Sequence, residues 1–184
     1  MPSTHAHPQP LLDAMTQYGA AALLALIALS VPLQIVLAFA GAPVFALTGL
    51  FTLLLAPFVL LLTTATPAVT VAPEGIMVQP RLWRTHSIPW HQVAAIKPYP
   101  LLPPADAEIS RRYLAGRSRY RPAEGIMLVI PGLPAQYRIA GLLAGEGFRP
   151  VIAITNRTHA HYDVLVKKIR SFHDAAQERA GNST

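Results

Sequence analysis

GAAALLALIALSVPLQIVLAFA (19–40) and PVFALTGLFTLLLAPFVLLLT (43–63) decide the architecture, because nothing from Ala14 to Pro73 carries a charge. About 20 apolar residues in a helix cross the roughly 30 Å of hydrocarbon in a bilayer, and each run is that long. Gly41 and Pro43 stand between them. Proline is accepted in a first helical turn but breaks a helix interior, so the sequence predicts two helices rather than one long rod. So short a connection sends the second helix back against the first. The expectation is a transmembrane α-hairpin over 19–63, preceded by an unstructured tail at 1–18. A cleaved signal sequence, which Ala38-Phe39-Ala40 invites, fits poorly: the apolar run is too long and no Lys or Arg precedes it.

Composition agrees. Charged residues make up only 13% of the chain, against about a quarter in soluble domains. Cysteine is absent, which excludes disulfides, thiolate nucleophiles and cysteine metal sites. The net charge of +6 is unevenly spread: every Lys and Arg lies at or beyond Arg81, and the only charge in the apolar half is Asp13. The basic half is therefore expected to be a separate body. Arg81 and Arg84 are the first basic residues after the second helix, and neither the turn nor the tail has any. The positive-inside rule then predicts a multi-pass protein of the cell (inner or plasma) membrane with two spans and both termini cytoplasmic.

Within the helices the polar residues are Ser30, Gln34, Thr48 and Thr52. None is ionisable, so an ion pathway lacks its charged stepping stones. Gln34 is expected to hydrogen-bond across to the threonines as helix glue. Pro32 and Pro57 read as tolerated kinks. Gly19, Ala22, Gly49 and Ala56 form a small-residue pattern compatible with partner helices.

Beyond Thr63 the texture turns to alternation. About seven short strands are predicted: Ala68–Val71, Gly75–Gln79, Trp83–Ile88, Val93–Lys97, Ile126–Ile130, Tyr137–Leu143 and Val151–Thr155. Ala72-Pro73-Glu74-Gly75 is a turn, and Gly-Glu-Gly at 145–147 is the last tight connection. After Thr158 the period changes. Tyr162, Leu165, Val166, Ile169, Phe172 and Ala176 make one stripe of an amphipathic helix, opposite Asp163, Lys167, Lys168, Arg170 and Asp174. Thr158 is its expected N-cap, with Asn156 as the alternative. Residues 176–184 form a tail.

The stretch TPAVTVAPEGIMVQPRLWRTHSIPWHQVAAIKPYP (66–100) resembles the opening of a bacterial pleckstrin-homology-like (PH-like) domain. Such openings run strand, x-x-G-I turn, strand, then a strand ending I-P-W or I-P-Y and a short apolar strand. VIAITNRTHAHYDVLVKKIRSF (151–172) is similar to that family's last strand and terminal helix. Two amino-terminal transmembrane helices are also common there. The resemblance covers 66 to about 175. It implies a mainly antiparallel, strongly bent, partly open barrel of about seven strands capped by a C-terminal α-helix. Ile88, Trp90, Val93 and Ile96 are expected to face inward or line an edge, with Trp90 in the core or anchoring the helix. One departure matters. The phosphoinositide site of eukaryotic members uses basic residues around the first strand–strand loop, which here is the acidic Ala72–Gly75, so that site does not carry over.

Residues 101–124 fit no strand and read as a basic insertion, with a short helix at Ala105–Leu114. RRYLAGRSRYR (111–121) holds five of the chain's 15 Lys and Arg residues. Arg111, Arg112, Arg117, Arg119 and Arg121, with Tyr113 and Tyr120, are the candidate contact residues. A solvated loop, anionic lipid headgroups, a protein partner and nucleic acid compete for the run. The short linker from Thr63 to Ala68 favours lipid over nucleic acid, because it holds every loop within a few tens of ångströms of the bilayer. No nucleic-acid motif accompanies the tyrosines. Asp106, Glu108 and Glu124 flank the run and weaken its field.

Catalytic signatures are missing: there is no nucleophile elbow, phosphate-cradling loop or His-Glu-x-x-His, and no paired carboxylates suited to acid–base work. His159-x-His161 with Asp163 is the closest approach to a metal cluster, and its spacing converges poorly, so no metal or cofactor is expected. Asn156-Arg157-Thr158 and Asn182-Ser183-Thr184 match the glycosylation sequon, which a cytoplasmic location makes irrelevant. The sequence thus points to a non-catalytic, membrane-anchored module that displays a surface for protein or anionic-lipid contact, as a homo-oligomer or with a protein partner. An accessory subunit of a transport or export complex, using the hairpin as its interface, is the alternative.

Overall fold

The computed structural model describes residues 3–5, 7–8, 10–108, 113 and 120–181. Helices α1 (Pro10–Phe39) and α2 (Val44–Thr64) form the hairpin, with Gly41 in a left-handed conformation at its turn. Both are long and apolar enough to cross a membrane. α1 starts at Pro10, well inside the stretch expected to be a tail, and runs for 30 residues, about 45 Å. Pro10 needs no N–H partner at a first helical position, and Asp13 in the first turn suits the positive end of the helix dipole.

Ala20, Leu24, Ile27 and Val31 of α1 meet Ala56 and Val59 of α2 along a seam of helical spacing. Gln34 does not bridge to the threonines as expected. Thr48 and Thr52 donate to carbonyls of their own helix, at Val44, Phe45 and Thr48, which removes their need for a cross-helix partner. Gln34 lies over Gly49 instead, where an added Cβ would sit 3.3 Å from Oε1. Gly19 and Ala22 face outward.

Among the described residues, seven strands form two antiparallel sheets rather than one barrel. The first sheet joins β1 (Ser3–His5), β2 (Ala68–Ala72), β3 (Gly75–Gln79) and β4 (His86–Pro89) in that order. The second joins β5 (Ala95–Pro98), β6 (Gly125–Val129) and β7 (Val151–Thr155). A 3-10 turn at Trp90–Gln92 links them. Strand alternation places Val69, Val71, Ile76 and Val78 inward from the first sheet, and Ile126, Leu128, Ile152 and Ile154 inward from the second. The long C-terminal helix, α4 (Tyr162–Gly181), buries Leu165 and Ile169 in the same core and lays Tyr162, Val166, Phe172 and Ala176 on its rim. That is the stripe read from the sequence.

Ile88, Trp90 and Val93 are buried and Ile96 is partly so, as expected. Trp90 donates its indole N–H to the Ala72 carbonyl at 2.9 Å and its ring lies 6.1 Å from that of Phe172. It fastens α4 to the first sheet. The expected N-cap differs: α4 begins at Tyr162, after His161 turns through a left-handed backbone (φ 55°), and Thr158 and Asn156 lie in the preceding turn.

The barrel fails to form for two reasons. Tyr137–Leu143, read as a strand, is a 3-10 turn at Ala135–Tyr137 leading into a short helix, α3 (Arg138–Leu143). Tyr137, Ala140, Gly141 and Ala144 are the buried residues there, at helical rather than alternating spacing. The free edge of β7, where a closing strand would pair, is also taken by α2. The Ala153 N–H donates to the Ala65 carbonyl at 2.7 Å. β7 is buried throughout because α3 covers its second face, in a small cluster of Met127, Val129, Ala144 and Val151.

The apolar and basic halves are joined at several points rather than separate. Beyond the Ala65–Ala153 bond, Trp83 Nε1 donates to Thr63 Oγ1 at 3.3 Å, and β1 pairs with β2. This turn of Trp83 toward α2 shortens β4, which starts at His86 rather than Trp83. Arg81 binds Asp13 at 2.9 Å and the Pro10 carbonyl at 3.2 Å. The sole charge of the apolar half is thus matched by the first cation of the basic half.

Tyr137 is wholly buried and its hydroxyl has no hydrogen-bond partner among the described residues, with His86 meeting its ring edge-on at 6.3 Å. Burial pushes its pKa up from 10.0 to about 12. Above pH 10 the unfolded chain ionises this tyrosine before the folded one does, so its contribution falls between pH 10 and 12 and is constant below. Tyr137→Phe removes the unpaired hydroxyl. It is expected to raise stability by about 1 kcal/mol at neutral pH. In thermal unfolding of the full chain in detergent, the variant's advantage should widen from pH 10 to 12.

Candidate functional site: the root of the basic insertion

The insertion leaves β5 after Pro98 and returns at Gly125. Ala105–Glu108 forms a 3-10 turn within the expected short helix. Arg111, Arg112, Arg117 and Arg119 lie outside the described residues. Tyr113 is 88% exposed. Tyr120 and Arg121 do not stand free. They belong to a polar network that fastens the insertion to the turn after β7.

Glu108 is its centre. Its carboxylate is buried, at 2.6 Å from Arg157 Nη2 and 2.9 Å from the Tyr120 hydroxyl. A carboxylate removed from water needs such compensation, because an unpaired buried charge costs several kcal/mol. Arg157 also donates to the Arg121 carbonyl at 2.7 Å, and its guanidinium lies 5.9 Å from the Tyr120 ring centre. Tyr120 is therefore engaged in a cation–π and hydrogen-bonded contact within the protein. Arg121 pairs with Asp163 at 3.1 Å, with both side chains largely exposed.

Asn156 acts as a clamp. Its side-chain amide donates to the Pro122 carbonyl at 2.7 Å, and its carbonyl oxygen accepts from the Glu124 N–H at 3.2 Å. Its own backbone N–H donates to the Glu124 carbonyl at 2.9 Å. The pairing of β6 with β7 thus continues past Gly125 and Thr155 through a side chain.

Arg121, Pro122, Glu124, Asn156 and Arg157 line a cleft of about 750 Å³ with Pro8 and the start of α4. Tyr162 borders it. Burial raises the pKa of its hydroxyl, with the Glu124 and Asp163 carboxylates adding and Arg170 opposing. A smaller, mostly apolar cleft of about 440 Å³ places Leu102, Pro103 and Ala107 beside Thr66, just past the end of α2. The insertion is rooted where the hairpin meets the sheets.

His159 and His161 do not converge. The buried His159 ring lies 2.9 Å from the Pro67 carbonyl through Nε2, while Nδ1 is 3.4 Å from the Thr155 backbone nitrogen and 2.9 Å from Thr158 Oγ1. The Thr155 N–H can only donate, so Nδ1 accepts from it and Nε2–H donates to Pro67. His159 therefore ties the end of β7 to the linker after α2. His161 is exposed. Among the described residues no group of three His, Asp or Glu side chains is placed to hold a metal.

No family profile, curated protein sequence or solved structure matches the chain. The site's meaning rests on its own geometry.

Sequence reasoning found the arginine run and its flanking acids but missed the hub. Asn156 and Arg157 were read only as a cap and part of a sequon. Their signal is weak: an amide and a guanidinium after a buried strand, beside an acid 49 residues away. Arg157→Met strands the Glu108 charge, and is expected to destabilise the full chain by about 2–3 kcal/mol. Glu108→Met together with Arg157→Met should recover most of that loss. Unfolding midpoints in detergent check the pair, and equal losses in single and double variants would rule out the hub.

Proposed function

We propose that this chain is a non-catalytic, membrane-anchored module of PH-like type whose basic insertion lies against anionic lipid headgroups at the cytoplasmic face of the cell membrane. α1 and α2 cross the bilayer, and both termini stay inside. The observation that carries the reading is the root of the insertion beside Thr66: a loop that starts at the hairpin's exit starts at the membrane surface. Arg81 and Arg84 are the first basic residues after α2, with no Lys or Arg at the opposite turn, which supports the orientation. The pairing of β1 with β2 supports a shared side for the two ends of the hairpin. Two antiparallel sheets sharing one core with a C-terminal helix support the PH-like assignment.

Each Lys or Arg near an anionic surface contributes about 1 kcal/mol. Arg121 is already paired with Asp163, so Arg111, Arg112, Arg117 and Arg119 carry the contact. Because the helices anchor the protein permanently, lipid contact sets the attitude of the domain rather than its recruitment.

The absence of native cysteine gives a direct test. Ser118→Cys in the full chain, labelled with a polarity-sensitive dye, is expected to shift its emission to the blue in nanodiscs containing phosphatidylglycerol. The shift should be absent in phosphatidylcholine alone, and lost in 1 M salt, where screening extends only about 3 Å. It should also be lost when the four arginines become Gln. No difference between the lipids would transfer the run to a protein partner. Labelling of the same cysteine by an impermeant maleimide outside intact cells would overturn the orientation.

A further inference from the structure

The face around α3 collects exposed apolar side chains and unpaired cations at the end of α2. α2 packs against α3 and the 3-10 turn before it, and Thr63 and Thr64 at the helix end are buried. Beside this joint the surface is apolar where a soluble face would be polar: Phe148 is 72% exposed, Leu142 48% and Trp83 37%. Each is tied to the joint of α2 and α3 through its own stretch of chain. Trp83 reaches Thr63, and the chain at 147–149 lies so close on α3 that a Cβ on Gly141 would run into the Arg149 carbonyl oxygen. Leu142 follows Gly141 in sequence, and Phe148 precedes Arg149. Two left-handed glycines, Gly145 and Gly147, shape the turn that presents Phe148.

Among the described residues some of the cations are paired and others, including Lys167 and Arg170 on α4, are not. Arg81, Lys97, Arg121 and Arg157 are each paired with an acid. Glu146, the acid closest in sequence to Phe148, is neutralised by Lys97 at 2.6 Å. Arg84, Arg138 and Arg149 are exposed, and among the described residues none has an ion pair or hydrogen bond from its side chain. Arg138 and Leu142 share one face of α3, four residues apart.

We propose that this corner is a second membrane contact, in which Phe148, Leu142 and Trp83 enter the interfacial layer of the bilayer that holds α2, and Arg84, Arg138 and Arg149 meet its headgroup phosphates. The proposal rests on the reading that α1 and α2 cross a membrane. The occupant follows from continuity: α3 packs on α2 and Trp83 bonds to its last turn, so a bilayer holding α2 ends beside this corner. Aromatic rings are favoured at that depth, and arginines beside them complement anionic headgroups. Together with the root of the insertion beside Thr66, the corner holds the domain to the bilayer at two points. The two points differ in kind, because the insertion is chiefly electrostatic and this corner is chiefly apolar.

Single cysteines at Leu142 and Phe148, introduced one at a time into the full chain and spin-labelled in nanodiscs, test this. Cysteines at the exposed Glu74 and Gln177 serve as aqueous controls, and one at Leu54 in α2 reports the span. The ratio of oxygen to water-soluble nickel-complex accessibility should be several-fold higher at 142 and 148 than at 74 and 177, and should persist in 1 M salt. Ratios at 142 and 148 equal to those at 74 and 177, with Leu54 in lipid, would overturn the corner while leaving the span intact. A ratio that collapses in salt would overturn its apolar part. If Leu54 itself is aqueous, the membrane reading fails and the corner fails with it.

Discussion

The hydrogen bond from the Ala153 N–H to the Ala65 carbonyl, at 2.7 Å, joins the last residue capping α2 to the edge of β7. Both groups would otherwise be liabilities. A helix leaves its final carbonyls without partners, and a sheet edge leaves a row of N–H groups open to other chains. One bond addresses both and leaves no slack between helix and sheet. His159 reinforces it from the other side of the linker by holding the Pro67 carbonyl. Trp83 on Thr63 and Arg81 on Asp13 complete a ring of contacts around the junction. The domain is thereby oriented on its helices rather than tethered to them.

That junction explains the open architecture. A closed barrel needs a strand on the outer edge of β7, and α2 already occupies it. The chain between β6 and β7 is then free to become helix, and α3 packs on α2 and covers the outer face of β7. A sheet buried on both faces reads as an uninterrupted apolar run, which is what VIAI at 151–154 is. Among the described residues the two sheets do not pair with each other, and they share one core, closed by the α4 stripe.

The parts of this fold legible in sequence are those whose signal is local and repeated. Two uninterrupted apolar runs, the alternation in β2 and β3, and the stripe from Tyr162 to Ala176 each repeat one rule over several residues. The parts that were not legible depend on partners distant in the chain. Tyr137–Leu143 has alternating apolar positions as well as helical ones, and only the presence of α2 selects the helix. β1 pairs with a strand more than sixty residues later, so nothing near Ser3 announces it. Gln34 looked like a donor seeking threonines, yet those threonines were satisfied within their own turn.

The candidate site shows the same division. A dense arginine run is visible by counting, but its mechanical meaning depends on how the run is held. Glu108, flanking it, looked like an acid that dilutes the positive field. In the structure it is buried and spent on Arg157 and Tyr120, so its charge is largely cancelled before it reaches solvent. Arg121 is likewise discounted by Asp163. The field that reaches solvent is therefore set by which cations lack partners, not by composition. On that criterion Arg84, Arg138 and Arg149, scattered in sequence and inconspicuous there, count for more than Arg121. Sequence clustering measures how many charges a segment carries; pairing in the fold decides which of them are left for a partner.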